Sequence, residues 1–192
     1  MTATAATPCI AFEGDRQIAN GPLAYVAAMV KQAADRGGTE PVLVWDAETA
    51  RPVEIDTRGT VAEVLERLPA ADTPEEAKRG PGRPKLGVVS REVTLLPRQW
   101  EWLSSQPGGA SVALRRLVDE ARKAGGAKDE RRARQEAAYR FMTAMAGDQT
   151  HYEEATRALF AGDAGRFEGA VADWPQDVRV QAERFAGLAF AV

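Results

Sequence analysis

The chain has 192 residues, of which 44% are hydrophobic, and its formal net charge at pH 7 is −3. This composition supports packed cores and argues against a wholly disordered chain, while no apolar run approaches the roughly 20 residues of a membrane-spanning helix. The chain has one cysteine, Cys9, and one histidine, His151. A single cysteine excludes an internal disulfide and a multi-cysteine metal site. The sequence therefore predicts a cytoplasmic protein with no cofactor, no metal and no enzymatic activity.

Residues 1–71 predict an α+β domain with the element order ββαββα. The predicted elements are strands at Cys9–Phe12 and Arg16–Ala19, a helix at Leu23–Arg36, strands at Pro41–Trp45 and Pro52–Ile55, and a helix at Thr60–Leu68. The last helix begins with Thr60 followed three residues later by Glu63, which is the spacing of a capping box.

Residues 72–86 form a linker rich in proline, glycine and charge. Within it, Gly82-Arg83-Pro84 resembles the core of an AT-hook. The resemblance implies an extended arm in the minor groove of A·T-rich DNA, with Arg79, Arg83 and Lys85 contacting the groove or the phosphates. An AT-hook usually has arginine on both sides of the glycine, whereas Pro81 precedes it here. A solvated hinge is the alternative interpretation of the same residues.

Residues 87–126 predict a strand and two helices. Val88–Leu95 alternates apolar and polar residues, Pro97 suits the first position of a helix, and Pro107-Gly108-Gly109 ends that helix. Ser111 is predicted to cap a second helix, which ends at Gly125-Gly126.

This order resembles the ribbon-helix-helix family of bacterial repressors, the Arc-type fold. The matching segments are Glu92–Pro97, Trp100–Leu103, Gly109–Val112 and Leu114–Val118. The resemblance implies a homodimer formed through residues 88–95 and the two following helices, with a two-stranded ribbon in the major groove of DNA. It also implies a phosphate bound at the start of the second helix.

The DNA-binding residues predicted from the two resemblances are Arg79, Arg83, Lys85, Ser90, Arg91, Glu92, Thr94, Ser111 and Arg115. Glu92 departs from the ribbon-helix-helix pattern, because a carboxylate repels phosphates, although it can accept a hydrogen bond from cytosine N4. Arg91 falls on the nominally buried face of the strand, so the ribbon could serve dimerisation more than base recognition.

The charge distribution favours a nucleic-acid partner for the central segment. Residues 78–134 hold 14 basic and 6 acidic side chains, a net charge of +8, whereas residues 1–77 and 135–192 have net charges of −7 and −4. Because fields in salt solution fall off within about 10 Å, this local charge matters more than the whole-chain balance.

Residues 127–192 predict a small helical domain. The predicted helices are Asp129–Met145, His151–Phe160, Ala164–Trp174 and Pro175–Leu188. The full chain also resembles a group of uncharacterised bacterial proteins classed as a domain of unknown function. That resemblance runs through Arg91–Lys123, Ala158–Asp163 and Ala172–Pro175, and it implies no activity and no site residues.

The sequence as a whole predicts a DNA-binding homodimer that acts as a transcriptional regulator or is associated with the nucleoid. In the first alternative, the ribbon-helix-helix segment only dimerises, and the helix bearing Trp100 and Trp102 docks a protein partner, as in an antitoxin or adaptor. In the second alternative the protein is an enzyme, which would require a pocket that combines His151 with two carboxylates.

Overall fold

The computed structural model describes residues 3–69, 89 and 91–192, and these form an α+β fold. Its elements in chain order are β1 (Pro8–Glu13), β2 (Arg16–Pro22), α1 (Leu23–Asp35), β3 (Val42–Asp46), α2 (Val61–Glu66), α3 (Pro97–Ser105), α4 (Gly109–Ala146), α5 (Tyr152–Ala161), α6 (Ala164–Val171) and α7 (Gln176–Phe190). The chain divides into unit 1, which comprises Met1–Thr73 and Ala127–Val192, and unit 2, which comprises Pro74–Gly126. No helix in the described part combines the length and hydropathy needed to cross a membrane.

The sheet of unit 1 has the strand order β2-β1-β3, and both pairings are antiparallel. The predicted first hairpin is confirmed: Gly14, with φ of 55°, lies in the tight turn between β1 and β2. Ala11 of the central strand pairs with Ala19 on one side and with Val44 on the other. The three predicted strands β1, β2 and β3 therefore form one sheet with β1 in the middle.

Both faces of β1 are buried, which explains its run of apolar residues. Cys9 and Ala11 face α1 in one cluster that also contains Leu23 and Val26. The alternate residues Ile10 and Phe12 belong to a second cluster on the opposite face. Because successive side chains of a strand point to opposite faces, a strand covered on both sides needs apolar residues at every position.

The predicted helix at Leu23–Arg36 is confirmed, because α1 occupies Leu23–Asp35 and Arg36 is its C-cap. The predicted capping box of α2 is confirmed as well. The Thr60 hydroxyl accepts a hydrogen bond from the Glu63 amide at 3.3 Å, and the Glu63 carboxylate accepts one from the Thr60 amide at 2.7 Å. The Glu63 carboxylate also accepts from the Thr60 hydroxyl at 2.9 Å, and the two hydrogen bonds that it accepts from Thr60 lower the pKa of Glu63.

The predicted strand at Pro52–Ile55 is wrong. Only an isolated bridge joins Pro52 to Trp45, with hydrogen bonds from the Val53 amide to the Val44 carbonyl and from the Asp46 amide to the Arg51 carbonyl, each at 2.9 Å. The pairing goes no further, so the sheet ends at β3 and the order of this region is ββαβα.

The second cluster of unit 1 joins the sheet to the C-terminal helices. Phe141 of α4 is fully buried, and its ring centroid lies 5.6 Å from that of Phe12 and 5.5 Å from that of Trp45. On its other side Phe141 packs on Phe185 of α7 at 5.4 Å. Residues 1–71 and 127–192, which the sequence predicts to be separate domains, both contribute to this one core.

The predicted end of a helix at Gly125-Gly126 is wrong, because α4 runs without interruption from Gly109 to Ala146. Each glycine in a helix interior costs about 1 kcal/mol relative to alanine, but no proline interrupts the segment and alanines flank the pair. The predicted helix at Asp129–Met145 is thus the second half of α4. The three helices predicted after it correspond to α5, α6 and α7, with small shifts at their ends.

We predict that Cys9 is unreactive in the folded protein. Its side chain is fully buried, and burial, with a smaller effect of Asp46, raises the pKa of the thiol from 9.0 to about 11. Since the thiolate is the reactive form, a thiol reagent at pH 8 should label the native chain very slowly and the denatured chain fully. Any stability that the neutral thiol contributes is present below pH 9 and is lost as the pH rises through about 11.

A Cys9→Ala, Ala34→Cys variant is the matched control, because Ala34 is exposed on α1. Its thiol should react at the same rate in native and denatured protein. Rapid labelling of Cys9 in the native wild type would contradict the prediction.

Candidate dimer and nucleic-acid interface

The predicted DNA-binding residues fall into two groups. Arg79, Arg83, Lys85 and Ser90 lie outside the described residues. Arg91, Glu92 and Thr94 precede α3, while Ser111 and Arg115 lie in the first two turns of α4. All five of these described side chains are exposed.

The predicted strand at Val88–Leu95 is absent over its described residues. Val89 and Arg91–Leu95 have no regular secondary structure, and no hydrogen bond joins the backbone of Arg91–Leu95 to another described residue. The physical reason is that a strand exists only beside a second strand that pairs with its N–H and C=O groups. The described part of unit 2 contains no such second strand.

The helix predicted from Pro97 is confirmed as α3, with Pro97 in its first turn. The Leu96 amide donates to Oε1 of Gln99 at 2.9 Å, which satisfies one of the amides at this helix start. At the other end, the Trp102 carbonyl accepts from Oγ of Ser105 at 2.8 Å. These contacts fix both ends of a helix that buries only Leu103.

Ser111 is not a helix cap, because α4 begins two residues earlier, at Gly109. The turn before it uses Gly108 and Gly109, whose φ angles are 83° and 75°. A Cβ atom at Gly108 would also lie 3.1 Å from the Val112 side chain. The glycines rather than the serine therefore set where the helix starts.

Unit 2 leaves most of its large apolar side chains exposed. Among the described residues 89 and 91–126, only Leu103 and Ala113 are buried. The exposed apolar residues are Val89, Val93, Leu96, Trp100, Trp102, Val112, Leu117 and Val118, and we call this set the apolar surface of unit 2. An exposed apolar surface becomes an interaction site where its residues form a patch of several hundred Å².

The resemblance to the ribbon-helix-helix family predicts part of this surface, because the core that it implies between two chains would contain Val93, Leu95, Trp100, Leu103, Leu114 and Leu117. It missed Leu96 and Val112, which are 52% and 44% exposed. Each lies next to a helix start rather than on the i, i+3, i+4 positions of an apolar helix face, so periodicity does not indicate them.

The basic side chains of α4 are only partly neutralised. Arg116 lies 3.7 Å from Glu120, an exposed i, i+4 pair of small energetic value. Arg115 has no carboxylate within 4.0 Å among the described residues. Positive charge therefore remains on the same helix that carries Leu117 and Val118.

Unit 1 offers an open cleft of about 320 Å³ between the turn after β3 and α4, lined by Glu48, Thr49, Arg51, Glu130, Ala133, Arg134, Glu136 and Arg140. Three arginines face three glutamates there, and Arg134 lies 3.7 Å from Glu130. Arg140 donates a hydrogen bond to the Thr49 carbonyl. The balanced charges give the cleft no clear preference for an anion or a cation.

His151 lies at the start of α5 with φ of 63°, and its Nδ1 is 3.7 Å from a carboxylate oxygen of Glu154. It is about half exposed. No group of three or more His, Cys, Asp or Glu side chains in the described part of the chain could hold a metal ion.

One protein family matches residues 8–186 of the chain, and its description is "Uncharacterized protein conserved in bacteria (DUF2239)". The chain belongs to this family. No curated protein and no solved structure matches it. The description of DUF2239 names neither a ribbon-helix-helix nor an AT-hook, so both resemblances remain predictions.

Two of the segments that carried the resemblance to an uncharacterised bacterial family have structural roles in this DUF2239 chain. Gly162, with φ of 75°, ends α5, and the Asp163 carboxylate accepts from the Arg166 amide at 3.0 Å to begin α6. The buried Trp174 donates from its indole N–H to the Thr150 carbonyl at 2.9 Å. These residues position helices and point to no chemistry.

Proposed function

We propose that this chain binds DNA as a homodimer, and that the dimer forms through the apolar surface of unit 2. The observation that carries the proposal is the lack of a core in that unit: of its described residues, only Leu103 and Ala113 are buried. Segments of about 40 residues rarely bury enough surface to be stable alone, and oligomerisation is a common remedy.

A second copy of the chain fits this surface better than an unrelated partner of unknown shape. Among the described residues, nothing hydrogen-bonds to the backbone of Arg91–Leu95, and an extended segment with unpaired backbone groups is a template for pairing with another chain. Antiparallel pairing of two copies would place Val93 and Leu95 of both chains on one face of the ribbon. The apolar sides of α3 and the start of α4 would then close over the ribbon, as the resemblance to the ribbon-helix-helix family implies.

Charge supports DNA as the ligand of such a dimer. Residues 78–134 have a net charge of +8, and a dimer doubles this charge. Lysine and arginine side chains that displace counterions from phosphates supply most of the affinity of non-specific DNA binding. Two basic arms in one dimer would also raise the affinity through effective concentration.

We expect the affinity for an A·T-rich duplex to fall by roughly 10³-fold between 50 and 200 mM salt, which corresponds to about six phosphate contacts. In a gel-shift or anisotropy titration, Arg83→Ala with Lys85→Ala should weaken binding and reduce the salt dependence. Arg157→Ala with Arg184→Ala is the matched control, because both arginines are exposed in unit 1. The control should bind like the wild type, and loss of binding only in the control would overturn the role of the basic arm.

The second candidate is a protein-interaction module that dimerises without DNA. Trp100 and Trp102 are 39% and 50% exposed on α3, and tryptophan is enriched where proteins contribute most of their binding energy. The exposed Glu92 fits this candidate better than it fits a DNA-contacting ribbon. A complex that persists unchanged from 50 to 200 mM salt, together with no duplex binding, would favour this function.

A further inference from the structure

Within the part of the chain that the structure describes, the middle of α4 buries almost none of its surface. Every residue from Arg115 to Glu130 is exposed except Gly125, which is half-buried. By contrast, the end of the same helix buries Ala138, Phe141 and Met142 in the core of unit 1. Since most helical stability in proteins comes from packing, the exposed stretch depends on the helix propensity of its own residues.

That propensity is lowest at Gly125-Gly126. Glycine is the least favourable residue in a helix interior apart from proline, and here two glycines are adjacent. Side-chain pairs do not compensate for them. The ion pairs of the exposed stretch lie on either side of the glycines. One joins Arg116 to Glu120, and the others join residues from Asp129 onward. Across the glycines, the i, i+4 partners of Arg122 and Lys123 are Gly126 and Ala127, so no ion pair spans the weak point.

We propose that α4 unfolds locally at Gly125-Gly126, a point that we call the joint. Because the helix opens there, unit 2 can unfold without unfolding unit 1. The boundary between the two units also falls after Gly126. Local opening is cheapest where few apolar contacts and many solvent-exposed backbone hydrogen bonds coincide. The joint is a property of the helix and does not depend on DNA binding.

Hydrogen exchange of the full-length protein tests the joint directly. Amides in peptides covering residues 119–130 should exchange much faster than those in peptides covering residues 137–146. Gly126→Ala should slow exchange of residues 119–130 by about fivefold. A Cβ at Gly126 has no atom within 4 Å, so the substitution introduces no clash.

Gly187→Ala in α7 is the matched control, because it too lies inside a helix and faces open space. It should leave exchange of residues 119–130 unchanged. Limited trypsin digestion gives a second readout. Cleavage after Lys123 or Lys128 should slow in the Gly126→Ala variant by the same factor as the exchange.

Two results would overturn the proposal. One is protection of residues 119–130 equal to that of residues 137–146 in the wild type, which would mean that another part of the chain or a second copy covers this stretch. The other is unchanged exchange and cleavage in Gly126→Ala, which would mean that the glycines do not set the opening equilibrium.

Discussion

Replacement of Leu117 by glutamate is expected to convert the dimer into monomers. Leu117 is 37% exposed in the single chain and lies on the apolar surface of unit 2. Burying a fully exposed leucine side chain contributes about 1.5–3 kcal/mol, so burying the exposed third of Leu117 contributes roughly 0.5–1 kcal/mol, and a symmetric dimer loses this contribution twice. Burial of two carboxylates adds a further cost, so the dissociation constant of the dimer should rise at least about 100-fold.

Size-exclusion chromatography coupled to light scattering gives the molar mass of each variant. At the same protein concentration, the mass of Leu117→Glu should be half that of the wild type. Leu188→Glu is the matched control, because Leu188 is 39% exposed on α7 of unit 1. The control should keep the dimer and its affinity for duplex, whereas Leu117→Glu should lose both. A wild type that is monomeric at every concentration, or a Leu117→Glu variant of unchanged mass, would remove the homodimer from the proposed function.

Replacement of Phe141 by alanine is expected to lower the free energy of unfolding of unit 1 by about 3–5 kcal/mol. Phe141 is fully buried among Phe12, Trp45 and Phe185. Alanine leaves a cavity between the sheet and α7 that these large rings cannot fill. Urea unfolding followed by circular dichroism gives the change in free energy.

Tyr139→Ala is the control, because its ring contacts Phe160 at the surface and is 41% exposed. Its effect should stay under about 1 kcal/mol. Hydrogen exchange at Ala11 and Phe12 adds a decisive readout, since these amides lie far away in sequence. Their exchange should accelerate in Phe141→Ala as much as exchange in α7, because one core serves both segments. Acceleration confined to the helices would indicate two separate cores.

Elements that are fixed by residues close together in the chain were predicted correctly, and elements that depend on distant residues were not. The capping box at Thr60 and the turn at Gly14 depend on residues only a few positions apart, and both were predicted correctly. The extent of α4 depends on the helix propensities of many residues, because favourable residues on either side outweigh the unfavourable Gly125-Gly126. The pairing of residues 52–55 with β3 stops after a single bridge, which depends on the path of the whole segment and not on a local pattern.

The candidate site was predictable only where it rests on composition. The positive charge of residues 78–134 and the apolar positions of α3 and α4 follow from the sequence, because charge and hydrophobicity are properties of each residue. Whether those apolar residues are covered within one chain does not follow, because burial depends on every other segment. The structure was needed to find that Trp100 and Leu117 remain exposed while Leu103 is buried.

By itself, the sequence determined the first hairpin, α1, the capped α2 and the helical C-terminal region, because local periodicity and turn chemistry specify them. Only the tertiary structure decided that Phe12 and Phe141 share a core. Residues so far apart in the chain meet through the packing of whole elements, and no local pattern encodes which apolar faces will meet. For the same reason, only the folded chain could reveal which apolar residues stay exposed.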